Sequence, residues 1–218
     1  MEDIVTIDGP TSSGKNSVGF LLAQKIGYQY IDTGMIYRAG CLKMLEQNIS
    51  QDDFEKILEI YRNLNVRFEI NHTWKMFLDG EDVTDKLHTP QISKLVPIVS
   101  AIPEVREIMR GIQRKVGSQG KIVMGGRDIG SEIYPNAKYK FFLTATPEVR
   151  AQRRFKQLVQ KDSTIKYEDV LKDMISRDEQ DMNREASPLR VPQDAVVIDN
   201  SNLSIDKTVE EMLKIINA

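Results

Sequence analysis

The 218-residue sequence is poor in cysteine and histidine, which excludes two kinds of site. Its one cysteine, Cys41, cannot form an intrachain disulfide. With only two histidines as well, the chain offers no Cys/His cluster for zinc. Apolar neighbours on the C-terminal side of Cys41 indicate a small buried side chain rather than a reactive thiol.

The sequence also lacks an excess of charge and a long hydrophobic run. Lys and Arg number 30 against 32 Asp and Glu, for a net charge of -2, whereas nucleic-acid binders usually have a basic excess. No apolar stretch approaches the ~20 residues that a membrane helix needs, and the first residues contain no targeting signal. We therefore expect a cytoplasmic protein with no nucleic-acid or membrane partner. The sequence does not determine the oligomeric state, and a monomer is the simplest expectation.

Short apolar runs alternate with helical patterns along most of the chain. A β-branched run at residues 4–7 leads into a Gly/Ser-rich loop, and helical spacing from Val18 to Ile26 ends at Gly27. This order predicts an α/β fold in which helices flank a parallel sheet. Further strands are predicted at 28–31, 121–124, 140–143 and 195–198, and further helices at 36–47, 148–158, 167–181 and 205–216.

The middle of the chain has a different pattern. Residues 66–70 alternate apolar and charged side chains, and Asp79-Gly80 is typical of a turn. We interpret residues 64–84 as a small antiparallel β insertion without helical crossovers. Helical spacing then returns from Ile92 to Lys115, with interruptions predicted near Pro97 and Pro103.

The loop after the first strand fits the phosphate-binding pattern G-x-x-x-x-G-K between a strand and a helix. In such loops glycines allow backbone N–H groups to surround phosphate oxygens, and the helix N-terminus adds positive potential. Lys15 would place a mobile positive charge between the β- and γ-phosphates. The predicted ATP-binding residues are Gly9, Pro10, Thr11, Ser12, Ser13, Gly14, Lys15, Asn16 and Ser17.

Asn16 departs from the usual pattern, which has Ser or Thr directly after the lysine as a magnesium ligand. The hydroxyl comes one residue later, at Ser17. We therefore expect the Mg²⁺ that accompanies ATP to be held mainly by phosphates and water, and the protein ligands are left unassigned.

Two other classes of P-loop protein do not fit. A switch GTPase would need an N-K-x-D sequence, which does not occur here. A motor ATPase would need an apolar strand ending in Asp-Glu, but residues 122–124 lead into Gly125-Gly126-Arg127-Asp128. A kinase that must hold a second phosphate in line with the first remains.

Arginines suited to a second phosphate occur at four places, three of them at strand ends or on one helix face. Arginine suits this task because its planar fork binds phosphate oxygens bidentately and stays charged. Arg177 and Asp181 share one helix face because they are four residues apart. The four places are Asp32–Arg38, Arg106, Gly125–Gly130 and Arg177–Arg184.

In this series of motifs the chain resembles the bacterial cytidylate kinase family over essentially its whole length. The P-loop alone would be unspecific, but the ordered series is highly specific. The matching segments are Ile7-Asp8-Gly9-Pro10, Asp32-Thr33-Gly34 with Tyr37-Arg38, Asp79-Gly80-Glu81-Asp82-Val83-Thr84, Gly126-Arg127-Asp128-Ile129-Gly130, Phe142-Leu143-Thr144-Ala145, Arg177-Asp178, and Ser187-Pro188-Leu189 with Asp194-Ala195.

The resemblance implies a P-loop nucleoside monophosphate kinase fold, a single domain over residues 1–218, and ATP-dependent phosphorylation of CMP or dCMP. The implied parts are a core (about 1–40, 116–150 and 190–218), a monophosphate-binding part (about 41–115) carrying the insertion, and a helical lid (about 151–170).

The resemblance also implies roles for individual residues. Asp128 and Arg106 would contact the cytosine edge, whose exocyclic amine a carboxylate can accept. The implied catalytic residues are Lys15, Arg127, Arg184, Arg153 and Arg154. The implied CMP-binding residues are Asp32, Thr33, Tyr37, Arg38, Arg106, Arg127, Asp128, Arg177, Asp181 and Arg184.

Two positions depart from the family pattern and leave alternatives open. Pro97 stands where the family usually has a serine that helps read the base, and His88 stands where it usually has arginine. Losing one polar side chain that contacts the base could relax the choice between CMP and UMP. A catalytically idle nucleotide-binding regulator is a further alternative, supported only by Asn16. Of the two histidines, His72 is interpreted as a hairpin surface residue and His88 as a candidate neighbour of the acceptor phosphate.

Overall fold

A computed structural model describes residues 3–71, 73–160 and 162–218. Within these ranges five strands form a parallel sheet in the order β2-β6-β1-β7-β8, and three form a second, antiparallel sheet in the order β3-β4-β5. The strands are β1 (Ile4–Asp8), β2 (Gln29–Asp32), β3 (Val66–Asn71), β4 (Thr73–Leu78), β5 (Glu81–Asp82), β6 (Ile122–Gly126), β7 (Tyr139–Thr144) and β8 (Val196–Asp199).

Helices connect the parallel strands and cover both faces of their sheet. A 3-10 helix (Thr84–His88) and a π-helical turn (Ile129–Ile133) supplement the α-helices. The α-helices are α1 (Lys15–Ile26), α2 (Thr33–Glu46), α3 (Phe54–Arg62), α4 (Pro90–Val99), α5 (Pro103–Gly117), α6 (Pro147–Val159), α7 (Tyr167–Asn183) and α8 (Ile205–Ile216).

The central strand β1 is buried along its whole length, and its side chains alternate between two apolar cores. Val5 and Ile7 pack in a cluster that includes side chains of α1 and α8. Ile4 on the opposite face joins a cluster with Met124 and Ile129. Burial on both faces explains why the strands read as short continuous apolar runs, and it confirms the predicted α/β class.

A third apolar cluster contains side chains of the four helices α2, α3, α4 and α5 and of the antiparallel strands. In the hairpin, Val66 pairs with Leu78, and the second turn follows at Asp79-Gly80, where both residues have positive φ. The antiparallel insertion predicted at 64–84 is therefore confirmed. The prediction for His72 lies outside the described residues, and so does residue 161 within the predicted lid.

Pro97 does not interrupt its helix, so that part of the prediction was wrong. α4 runs through Pro97 to Val99, and the break falls at residues 100–102, before Pro103 begins α5. Proline lacks the N–H that would bond to the carbonyl of Ser93. The helix nevertheless continues for two residues because Val96 and Val99 are buried in the third cluster on either side of it.

In the part of the chain that the structure describes, no helix is both long and apolar enough to cross a membrane.

Candidate active site

The loop from Gly9 to Gly14 connects β1 to α1 and forms a concave turn of backbone. Gly9, Ser12 and Gly14 all have positive φ, at 150°, 56° and 93°. A side chain at Gly9 would place its Cβ 2.0 Å from the carbonyl oxygen of Leu143, so only glycine fits there. A loop with positive φ angles directly before a helix is the kind of backbone in which successive N–H groups form a phosphate-binding nest.

The Lys15 ammonium lies inside this loop. Its Nζ donates to the carbonyl oxygens of Gly9 and Pro10, each at 2.7 Å, and contacts Ser13 Oγ at 3.4 Å. Burial, and next the charge of Arg127, lowers the pKa of Lys15 well below its usual value. The lysine therefore holds the centre of the loop, with the guanidinium of Arg127 close enough to act on it.

Asn16 uses both ends of its amide within the protein. Its Oδ1 accepts a hydrogen bond from the Tyr30 hydroxyl at 3.0 Å, and its Nδ2 donates to Asp32 Oδ2 at 2.6 Å. Asp32 Oδ1 accepts from the backbone N–H of Gly34 at 2.9 Å and so caps α2. The amide is thus committed to positioning Asp32, while the neighbouring Ser17 side chain is exposed.

Two predicted acceptor arginines, Arg127 and Arg184, meet at a third predicted residue, Asp181. Arg127 Nε donates to Asp181 Oδ2 at 2.9 Å, and Arg184 Nη1 lies 3.5 Å from Asp181 Oδ1. Arg184 Nε donates to the carbonyl of Ser187 at 2.7 Å, while its buried Nη2 has no hydrogen-bond partner among the described residues. One carboxylate therefore separates two arginines that arrive from different elements, β6 and α7.

Arg38 and Arg177 complete this group of cations. Arg38 Nη1 donates to the carbonyl of Leu87 at 3.0 Å and to Ser93 Oγ at 3.2 Å. Burial lowers the pKa of Arg177 to about 10, and the charges of Arg127, Arg38 and Arg154 act in the same direction. These charge effects, together with the contacts of Arg127 and Arg184 with Asp181, indicate that the arginines lie near one another. We call Arg38, Arg127, Arg154, Arg177 and Arg184 the arginine cluster.

Arg106 and Asp128 form a buried ion pair beside this cluster. Arg106 Nη2 donates to Asp128 Oδ2, and Nη1 donates to the carbonyl of Ser100 at 3.1 Å. The guanidinium also lies 5.8 Å from the centroid of the Tyr37 ring, within cation–π range. Thr33 Oγ1 donates to the carbonyl of Gly125 at 2.9 Å. All four predicted residues therefore lie beside the carboxyl end of β6.

Parallel pairing brings the two regions predicted to bind phosphates to one edge of the sheet. Asp8 at the end of β1 is in register with Gly126 at the end of β6. The phosphate loop therefore begins beside the segment that carries Arg127, at the carboxyl edge where α/β proteins bind ligands. The two regions predicted to bind phosphates therefore begin side by side at this edge.

Asp8 was not among the predicted site residues, yet it connects these two regions. Its carboxylate accepts the backbone N–H groups of Ile129 at 2.8 Å and Gly130 at 2.7 Å. Burial raises the pKa of Asp8 to about 7, against the opposing effect of these two hydrogen bonds. The signal in the sequence was a carboxylate between an apolar run and the phosphate loop, and the structure shows that it is fully buried.

The two predicted lid arginines have different partners. Arg153 donates from Nη1 and Nη2 to the side-chain and backbone oxygens of Asn200, at 3.0 and 2.9 Å. Asn200, which was not predicted, also donates from Nδ2 to the carbonyl of Ser13 in the phosphate loop, at 3.0 Å. Arg154 Nη1 lies 3.4 Å from Gln157 Oε1, and its charge acts on Arg38 and Arg177. Arg153 therefore belongs to the phosphate-loop side and Arg154 to the arginine cluster.

The two departures from the family pattern lie near this site. His88 is exposed and follows Leu87, whose carbonyl accepts from Arg38. Pro97 is partly buried in α4, and its carbonyl accepts from Ser100 Oγ at 3.3 Å. The backbone carbonyl of Ser100 in turn accepts a hydrogen bond from Arg106. Pro97 is therefore linked through one residue to the Arg106–Asp128 ion pair.

Solved structures share this fold at low sequence identity. A shikimate kinase from Bacteroides thetaiotaomicron matches with a TM-score of 0.53 and 14% identity over 99% of this chain and 98% of that one. An uncharacterised protein from Eubacterium ventriosum matches with a TM-score of 0.54 and 12% identity over 100% and 99% of the two chains. These likenesses concern the fold alone.

Sequence comparison is more specific. The model of the family described as "Cytidylate kinase" matches residues 5–218. A cytidylate kinase from Caldanaerobacter subterraneus subsp. tengcongensis is 44% identical over 97% of this chain and 93% of its own length. One from Clostridioides difficile is 39% identical over 98% of each. By this match across nearly its whole length, the chain belongs to the cytidylate kinase family.

Proposed function

We propose that this protein transfers the terminal phosphoryl group of ATP to CMP or dCMP, giving ADP and CDP or dCDP. The observation that carries the proposal is the arginine cluster beside the Lys15 loop. Two polyanions repel each other, and phosphoryl transfer depends on holding both in line and stabilising their charge. A loop that binds one phosphate and a separate cluster that binds another provide both.

On the donor side, the N–H groups of residues 9–14 would surround the ATP phosphates. The Lys15 ammonium would exchange the carbonyls of Gly9 and Pro10 for phosphate oxygens, which are stronger acceptors because they are charged. When Mg²⁺ is bound with ATP, it offsets charge on the phosphate oxygens. Because the Asn16 amide is engaged at both ends, Ser17 is the residue next to Lys15 that could approach the ion.

On the acceptor side, Arg38, Arg127 and Arg184 would hold the CMP phosphate. Their present protein partners are one carboxylate, two backbone carbonyls and a serine hydroxyl, which leaves N–H groups available to a phosphate. The remaining predicted roles follow the same geometry. Thr33, Arg177 and Asp181 would face the sugar and phosphate, and Arg106 and Asp128 would face the base. Asp32 and Tyr37 are the other predicted CMP-binding residues.

The division into parts also belongs to this proposal. Residues of about 151–170 would act as a lid that brings Arg153 and Arg154 over the transferring group and excludes water. Packing of α6 on α7 supports this division, because it gives the residues after about 151 a packing partner other than the sheet. A monomeric state and a cytoplasmic location are part of the same proposal.

A coupled assay for ADP with CMP, dCMP, UMP and AMP as acceptors tests the function. CMP and dCMP should give the highest kcat/KM. Lys15→Met should lower kcat by about 10²–10³-fold, because it removes a positioned charge. Lys25→Met, at an exposed position of the same helix, should leave kcat unchanged. If no acceptor stimulates ADP formation by the wild-type protein, the proposal fails.

A further inference from the structure

Arg150 is a buried arginine that the predicted site does not include. Its Nε donates to the carbonyl of Ala145 at 2.9 Å. Its Nη1 donates to the carbonyl of Thr11 at 3.2 Å and to Asp178 Oδ2 at 2.5 Å. The residue is only 4% exposed, so its charge is compensated by these three oxygen atoms rather than by water.

These three oxygen atoms belong to three separate parts of the site. Thr11 lies in the phosphate loop, Ala145 follows β7, and Asp178 lies in α7 between Arg177 and Asp181. Arg150 itself is on the first turns of α6, one turn before Arg153 and Arg154. A single guanidinium thus connects the donor loop directly to the helix that carries acceptor-side residues.

Asp178 depends on Arg150 to compensate its buried negative charge. Asp178 is 8% exposed, and its second carboxylate oxygen is buried without a hydrogen-bond partner among the described residues. Arg150 is the cation within salt-bridge distance of Asp178 in the described ranges. Removing the guanidinium would leave a buried negative charge next to Arg177, and α7 would have to shift to hydrate or pair that charge.

We propose that Arg150 and Asp178 are positioning residues that set the distance between the donor and acceptor phosphates. Because Arg150 is buried and its hydrogen bonds engage Ala145, Thr11 and Asp178, the pair acts through the phosphate loop and α7. An error of about 1 Å between reacting groups can cost roughly 10²-fold in rate. The pair should therefore control the rate of transfer more than the affinity for either nucleotide. This inference rests on the proposed kinase function.

Arg150→Lys is the informative substitution. Lysine keeps the charge, but its single ammonium cannot reproduce a planar fork with three acceptors. We expect kcat with CMP to fall about 10–100-fold, while KM for CMP and ATP changes less than threefold. Asp178→Asn, which keeps the shape and loses the charge, should have the same effect. Arg190→Lys, at an exposed arginine paired with Glu132, is the matched control and should retain wild-type kcat.

The double variant Arg150→Lys/Asp178→Asn separates positioning from general loss of structure. If the two residues act as one unit, the double variant should have a kcat no lower than that of the worse single variant. Circular dichroism and thermal melts should show folded proteins, and if Arg150→Lys does not fold, Asp178→Asn carries the test. A kcat within twofold of wild type for the folded single variants would overturn the inference. So would a loss of activity that disappears when rates are corrected for the folded fraction. Wild-type turnover with CMP in the same assay separates these results from failure of the kinase function itself.

Discussion

Replacing Asp128 by Asn tests how the acceptor base is chosen. Asp128 is buried, and Arg106 holds one of its carboxylate oxygens, Oδ2. In the proposed function the other oxygen accepts the exocyclic amine of cytosine. In Asp128→Asn the oxygen of the amide can stay with Arg106, which turns the NH₂ group toward the base. An NH₂ group opposes the cytosine amine but can donate to the corresponding carbonyl of uracil.

The size of this effect follows from the bonds involved. Losing a hydrogen bond to a charged group costs about 1.5–3 kcal/mol, and an unsatisfied buried donor costs about 1–3 kcal/mol. Because these overlap in one contact, we expect a loss of about 2–4 kcal/mol for CMP, or roughly 30–1,000-fold in kcat/KM. UMP should lose far less, so the ratio of CMP to UMP activity should fall by at least ~10-fold.

The assay is kcat/KM for CMP and UMP at fixed Mg-ATP, with thermal melts in parallel. Because Arg106 keeps a neutral acceptor, stability should fall by only about 1–3 kcal/mol. Asp173→Asn, the same change at an exposed position of α7, should alter neither ratio nor stability. If Asp128→Asn lowers CMP and UMP activity equally, Asp128 does not read the base and the reasoning is refuted.

Two further predictions concern the phosphate loop and its support. Gly9→Ala should lower the free energy of unfolding by more than ~2 kcal/mol, because its Cβ would overlap the Leu143 carbonyl. The control Gly111→Ala, whose Cβ would have nothing within 4 Å, should raise the free energy of unfolding by about 0.5–1 kcal/mol. Equal changes for the two variants in denaturant titrations would contradict this prediction. Asp8 should titrate near pH 7 by carbon NMR, since burial raises its pKa to about 7 from 3.8. The folded chain then keeps a proton that the unfolded chain releases, so the stability from Asp8 is full below about pH 3.8 and is lost as the pH rises to 7. A titration midpoint near 4 would contradict this.

The core of the fold could be predicted because its signals are local. The strands flanked by turns, the Gly-rich loop before α1 and the alternation in the insertion all follow from spacing within a few residues. Helix α3 went unpredicted although its pattern was available: Ile57, Leu58 and Tyr61 are buried at helical spacing, with Asp53 as the N-cap. The misplaced break at Pro97 arose because tertiary packing overrode the local effect of proline.

The same distinction between local and long-range signals applies to the candidate site. Lys15 and the loop around it belong to one contiguous pattern. Arg127 and Arg184 lie in segments that strand ends and helix spacing mark among 30 basic residues, whereas their individual roles came from the family resemblance. Arg150 and Asn200 could not be found at all, because each is defined by partners far away in sequence: Arg150 contacts Thr11 139 residues away, and Asn200 contacts Ser13 187 residues away. From sequence alone, such residues read as ordinary surface side chains.

The central claim is that one cleft holds two phosphates, each bound by its own group of cations. A crystal structure with ADP and CMP tests it most directly. We predict the β-phosphate of ADP inside the loop of residues 9–15, and the CMP phosphate within about 3.2 Å of guanidinium nitrogens of Arg38, Arg127 and Arg184. A CMP phosphate bound elsewhere, with those three arginines still engaged only by protein atoms, would contradict the account.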